Sequence, residues 1–149
     1  MEREKYAEYL DRVSVFMVAE PINKYRVQDS NKAAQLLLDY MKHFDREHLV
    51  ALCLDMKRQI QSIHEISVGT LDRALAHPRE VFKAAILANA ATIILAHNHP
   101  SGYVEPSDAD IILTERLREA GDIIGIEVQD HLIIGGDSYY SFAENGMLG

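Results

Sequence analysis

Two histidines and an aspartate stand where a metal site would need them. The stretch Ala96-His97-Asn98-His99-Pro100-Ser101-Gly102-Tyr103-Val104-Glu105-Pro106-Ser107-Asp108-Ala109-Asp110 follows an apolar, β-branched run, Ala91-Thr92-Ile93-Ile94-Leu95-Ala96, which reads as a buried strand. His97 and His99 are two residues apart, so on an extended backbone their rings share a side while Asn98 points away. Asp110 falls in the first turn of the helical pattern that continues from Ile111 to Ala120. Two imidazoles and one carboxylate make a three-ligand zinc site with a fourth position for water, the arrangement of a catalytic rather than a structural zinc. The plainer reading is that the histidines end a strand and the acid sits at a helix N-terminus, where negative charge is favourable. It accounts for each residue singly, but not for the whole pattern H-x-H-x7-S-x2-D.

These side chains need a strand that ends at the site and a helix that starts there, and the end of a central strand is where α/β folds place their chemistry. The chain supplies both. Residues 1–29 read as an N-terminal arm or a short helix and strand, with Val13 to Ala19 extended and closed by Pro21. Asp29 or Ser30 is a plausible N-cap for a helix from Asn31 to His43 that buries Ala33, Ala34, Leu37, Leu38 and Met41. Glu47 to Asp55 reads as a strand, Met56-Lys57-Arg58 as a turn, and Gln59 to Val68 as the returning strand of a hairpin. Pro78 opens a helix running to Asn89. Ser107 is placed to cap the helix that carries Asp110. Gly121 reads as the end of that helix, with a strand beginning in Asp122 to Glu127 and continuing from Gln129 to Ile134. Gly135-Gly136-Asp137 turns the chain into a last strand, Ser138 to Phe142.

The pattern His97-x-His99-x7-Ser107-x2-Asp110 resembles the JAMM signature of JAB/MPN zinc metallopeptidases. The longer string HNHPSG…PS..D…T..L, continued by DHLIIG…YYSF, resembles the bacterial RadC branch of that superfamily, from about Ser30 to the C-terminus. The resemblance implies a mixed, curved sheet flanked by helices, in the wider cytidine-deaminase-like architecture; the alternation of elements by itself gives only a single α/β domain over 30–149. It implies zinc on His97, His99 and Asp110, and hydrolysis of a peptide or isopeptide bond. It also implies that a glutamate at the start of the first hairpin strand is the general base, a position that Glu47 matches, and that Ser107 stabilises the oxyanion. From spacing alone Glu47, Glu65 and Glu80 compete for the base, and Glu47 is equally a solvated member of the run Asp45-Arg46-Glu47. His77 in His77-Pro78-Arg79-Glu80 reads as a cap, Arg79 as a tie between loops, and Asp130 and His131 as support for the metal site.

Composition narrows the field. The chain has 149 residues, 48% hydrophobic, enough for one well-buried core. A net charge of −8 and a pI near 5.3 argue against broad binding to nucleic acid, which relies on basic phosphate contacts. Cys53 is the only cysteine, so an intramolecular disulfide and a cysteine-based zinc site are both excluded; it reads as a small core residue. No apolar stretch approaches membrane-spanning length and the start is charged, which leads us to expect a cytoplasmic protein. A zinc deaminase would need H-x-E and P-C-x-x-C, and one cysteine cannot supply them. The letters His97-Asn98-His99 suggest an HNH nuclease, but an acidic chain with a strand-to-helix motif fits that poorly. The remaining alternative to an enzyme is a binding module associated with DNA repair or replication.

Overall fold

The computed structural model describes residues 30–69 and 76–148. The arm expected in 1–29, the Asp29 cap and the turn at 72–75 lie outside the described residues. In chain order the elements are α1 (Ser30–Met41), β1 (His48–Leu54), β2 (Ile60–Val68), α2 (Pro78–Leu87), β3 (Thr92–Asn98), α3 (Asp108–Ile124), β4 (Glu127–Gly135) and β5 (Ser138–Ser141). The strands form one open sheet in the order β2-β1-β3-β4-β5. Only β3 and β4 run parallel; the other neighbours are antiparallel. This is the mixed α/β architecture expected from the alternation of elements.

Both faces of the sheet are covered, which is why β1 and β3 read as unbroken apolar runs rather than alternating ones. On one face α1 lays Ala33, Ala34, Leu37 and Met41 on Val50, Leu52, Ile94, Leu132 and Ile134. On the other, α2 and α3 lay Val81, Phe82, Ala85 and Leu117 on Ala51, Cys53, Ile93, Leu95 and Val128. Each large apolar side chain buried this way contributes on the order of 1.5–3 kcal/mol. Odd-numbered residues of β1 and β3 therefore face α2 and α3.

An irregularity in β4 decides what joins them. Ile93 pairs with Val128 but Ile94 pairs with Asp130, so Gln129 is an extra residue in the ladder. Such a bulge shifts the alternation by one. Val128 packs under α2 and α3, and Leu132 and Ile134 pack under α1. His131 is thereby turned to the same face as His97.

Helix α3 corrects the sequence reading. It does not stop at Gly121 but runs on to Ile124, and Gly125, with φ of 87°, is its left-handed C-cap. Asp122 to Ile124 are helical rather than extended, and β4 starts only at Glu127. Gly121 is there for packing. A Cβ on it would meet the Ile126 carbonyl oxygen at 2.5 Å and the Phe82 ring at 3.3 Å. A glycine chosen for close approach looks the same in sequence as one chosen for a turn.

Candidate metal centre

His97 is the next-to-last residue of β3, facing α3 and fully buried. Its neighbour Asn98 points to the other face and ties two chain segments together. Its side-chain oxygen accepts from the His48 N–H at 2.7 Å, and its amide donates to the Arg46 carbonyl at 2.8 Å. These bonds hold the entrance to β1, which includes Glu47, against the end of β3.

Beyond the strand, the His99 N–H donates to the Ile134 carbonyl at 2.8 Å, and the Gly102 N–H closes a turn on the His99 carbonyl at 3.0 Å. His99 Nδ1 donates to the Tyr103 carbonyl at 2.7 Å. A carbonyl can only accept, so Nδ1 carries the proton and Nε2 offers its lone pair. The turn rests on Gly135, where a Cβ would stand 2.6 Å from the Gly102 oxygen. Any larger residue there would lift the loop that orients His99.

Asp110 is set by its own helix terminus. Ser107 is the N-cap of α3, its hydroxyl accepting from the Asp110 N–H at 3.1 Å, while the Ser107 N–H donates to Asp110 Oδ2 at 2.9 Å. This reciprocal capping box, with aspartate at the third helical position, turns the carboxylate back over the helix end.

The three side chains converge. Nε2 of His97 and Nε2 of His99 are 3.0 Å apart, Asp110 Oδ1 is 3.3 Å from His97 Nε2, and Asp110 Oδ2 is 3.5 Å from His99 Nε2. Ligand atoms held about 2.0–2.1 Å from one zinc at tetrahedral angles lie about 3.3 Å from each other. The two imidazole nitrogens stand close to such an edge, the carboxylate reaches each of them through a different oxygen, and one ligand atom from each residue lies within 4.8 Å of the others; the donor set of two imidazole nitrogens and a carboxylate fits zinc chemistry. His97, His99 and Asp110 are the one such cluster among the described residues that could hold a metal ion. Burial pushes the Asp110 carboxyl up, but the His97 ring and the bonds from Ser107 outweigh it and hold it well below the usual carboxylate range.

Behind the cluster lies a buried chain of polar groups. His97 Nδ1 is 2.8 Å from His131 Nε2, and His131 Nδ1 is 2.6 Å from the Thr114 hydroxyl, which is 2.7 Å from the Asp110 carbonyl. Burial, with the charges His97 and His99 would carry, pushes the His131 ring well below its ordinary value, so it stays neutral. Phe142 stacks on His131 with centroids 5.0 Å apart. Asp130 pins the segment carrying Phe142 by accepting from Ser141 Oγ at 2.6 Å and from the Ala143 N–H at 3.0 Å. Sequence reading had placed Asp130 and His131 together as support. As neighbours on a strand they face opposite sides, and the bulge at Gln129 decides which of them faces His97: His131 touches a candidate ligand, and Asp130 holds the C-terminal turn. Thr114 stands in the motif string, but sequence reading gives it no role; its place four residues after Asp110 on the same helix face is what links it to the site.

The competing acids are sorted by position. Glu65 pairs across from Val50, which faces α1, and its carboxylate bonds the His48 ring. Glu80 is on the exposed surface of α2, 2.9 Å from Lys83. Glu47 is half-buried just before β1, its carbonyl accepting from the Gly69 N–H at 2.7 Å. Leu49 pairs with His97, so alternation puts Glu47 on the face of the metal cluster, alongside His99. His77 caps α2, its Nδ1 accepting from the Arg79 N–H at 3.1 Å. The Arg79 guanidinium folds back on the same ring at 3.2 Å. Neither residue joins the metal cluster.

Sequence comparison with known proteins gives the family. The model of the RadC-like JAB domain matches residues 27–147. A UPF0758 protein of Moorella thermoacetica is 48% identical over 132 residues, covering 89% of this chain and 58% of its own length. A UPF0758 protein of Rubrobacter xylanophilus is 55% identical over 113 residues, covering 76% of this chain and 49% of its own. The chain thus spans about half the length of the curated relatives it matches. With a family model covering most of its length and relatives this similar, the chain belongs to the RadC-like JAB domain family.

Proposed function

We propose that this domain is a zinc-dependent hydrolase of peptide or isopeptide bonds. The observation that carries the reading is the convergence of His97, His99 and Asp110, one ligand atom from each lying within 4.8 Å of the others. When bound, zinc supplies Lewis acidity that brings a water toward neutral pKa and polarises a carbonyl. Glu47 takes the proton released by the attacking water and hands one to the leaving amine, so a single carboxylate serves as base and then as acid. What supports Glu47 is its place in the chain: it directly precedes β1, and Asn98 bonds both flanking residues, which ties that segment to the end of β3.

Ser107 does two things. Its oxygen lone pair caps α3, and its hydroxyl proton stays available to donate to the carbonyl oxygen as charge builds there. The acidic composition favours a peptide or protein substrate over nucleic acid. The single, buried cysteine suits a reducing cytoplasm. No helix of the described residues is long and apolar enough to cross a membrane.

The test is the metal content of purified protein beside His97→Ala, followed by cleavage of a peptide library by the zinc-loaded form. One equivalent of zinc that His97→Ala loses, with cleavage that Glu47→Gln abolishes, supports the reading. Zinc-loaded protein that cleaves no amide bond refutes the hydrolase.

A further inference from the structure

The buried chain from His97 to Thr114 can run in two directions. In the first, the Thr114 hydroxyl donates to the Asp110 carbonyl. Its oxygen then accepts from His131 Nδ1–H, His131 Nε2 accepts from His97 Nδ1–H, and His97 Nε2 keeps a lone pair facing His99 and Asp110. In the second, the Thr114 hydroxyl donates to His131 Nδ1. His131 Nε2–H then donates to His97 Nδ1, and His97 Nε2–H points at the His99 lone pair 3.0 Å away. The 2.8 and 2.6 Å contacts carry a proton in both directions, but the 2.7 Å contact of the Thr114 hydroxyl with the Asp110 carbonyl carries one only in the first.

Each direction leaves one close contact without a proton: the His97 and His99 Nε2 lone pairs in the first, and the Thr114 and Asp110 oxygens in the second. As a helical carbonyl, Asp110 C=O already receives the N–H of residue 114, so it does not require the hydroxyl. Both arrays hold the same three protons, one on the hydroxyl and one on each ring. Passing from the second to the first moves each ring proton from Nε2 to Nδ1 and swings the hydroxyl from His131 to Asp110, with no net gain or loss. Only the first leaves His97 able to ligate a cation. A cation between the two Nε2 lone pairs removes the one bare contact of the first direction and leaves that of the second, so its binding favours the first.

We propose that Thr114 and His131 are positioning residues that set the tautomer of His97, with the Thr114 hydroxyl as the pivot that lets a divalent cation select the ligating form. The inference rests on the zinc reading above. Its residues lie behind the ligands, and Thr114 and His131 are 1% and 0% exposed, so neither meets substrate. Thr114→Val keeps the shape but removes the pivot, leaving His131 Nδ1–H without an acceptor whenever His97 ligates.

The experiment is zinc affinity by chelator competition for the native protein, Thr114→Val and Thr114→Ser, with imidazole nitrogen shifts of His97 and His131 recorded with and without zinc. We expect Thr114→Val to bind zinc 10- to 100-fold more weakly, on the order seen for residues that orient metal ligands, and Thr114→Ser to stay within about twofold. We expect both rings to be Nδ1–H in the zinc-loaded protein. Equal affinity in Thr114→Val, or an Nε2–H tautomer of His131 in the zinc-loaded protein, overturns the proposal while leaving the zinc site standing. Native protein that binds no zinc overturns both. If Thr114→Val fails to fold, the native ring shifts decide alone.

Discussion

Two helix N-termini on the same side of the sheet have the same local plan and opposite fates. Helix α2 starts His77-Pro78-Arg79-Glu80 and α3 starts Ser107-Asp108-Ala109-Asp110, each with a capping side chain and an acid at the third helical position. Glu80 lies on the surface beside Lys83. Asp110 is 5% exposed and faces two imidazoles. The plan itself only satisfies helix-end N–H groups and complements the dipole. What turns one copy into a candidate metal site is the strand end that meets it: α3 starts where β3 delivers His97, and α2 meets no such strand end.

Changing the two acids breaks this comparison most sharply. Asp110→Asn should abolish zinc binding, while Glu80→Gln should bind one equivalent like the native protein, both read by calorimetric titration. For the proposed reaction, Glu47→Gln should keep its zinc and lose about 10²–10⁴-fold in turnover. Glu65→Gln and Glu80→Gln should cleave at native rates; loss in either would move the base elsewhere.

The caps come next. Ser107→Ala and His77→Ala should each cost about 1 kcal/mol in chemical denaturation. Only Ser107→Ala should also weaken zinc binding, because only that cap holds a ligand. Gly135→Ala should disturb the His99 loop and lower zinc affinity. Gly121→Ala should destabilise the fold and leave the affinity of the surviving folded protein unchanged.

The smallest expected effect is on pH dependence. Both carboxyls sit below their ordinary values: Glu80 through its bond and charge contact with Lys83, Asp110 through His97 and Ser107, which overcome burial. A depressed carboxyl contributes stability above its unfolded value, 3.8 for Asp110, and that contribution is lost as pH falls. Metal-free native protein should therefore lose stability on acidification below about pH 4 more steeply than Asp110→Asn. Glu80→Gln, altering an exposed pair, should follow the native slope.

Much of this was legible in the sequence. The ligands, the Ser107 cap and the hairpin rest on rules of short range: alternation on a strand, capping residues, a turn between apolar runs. Three features were not. The Gln129 bulge shows only when β4 is laid against β3. Gly121 reads as a helix stop until Phe82 and Ile126 are brought against it. Thr114 is an ordinary helix residue until His131 arrives from a strand later in the chain. Each of these depends on a contact between elements, which no local pattern encodes.

The central claim is that His97, His99 and Asp110 hold one ion. Zinc K-edge absorption spectroscopy of stoichiometrically loaded protein tests it most directly. The account predicts four light neighbours, two of them imidazole nitrogens, at about 2.0–2.1 Å, with the imidazole signature reduced in His99→Ala. A sulfur neighbour, or a native spectrum unchanged in His99→Ala, would contradict it.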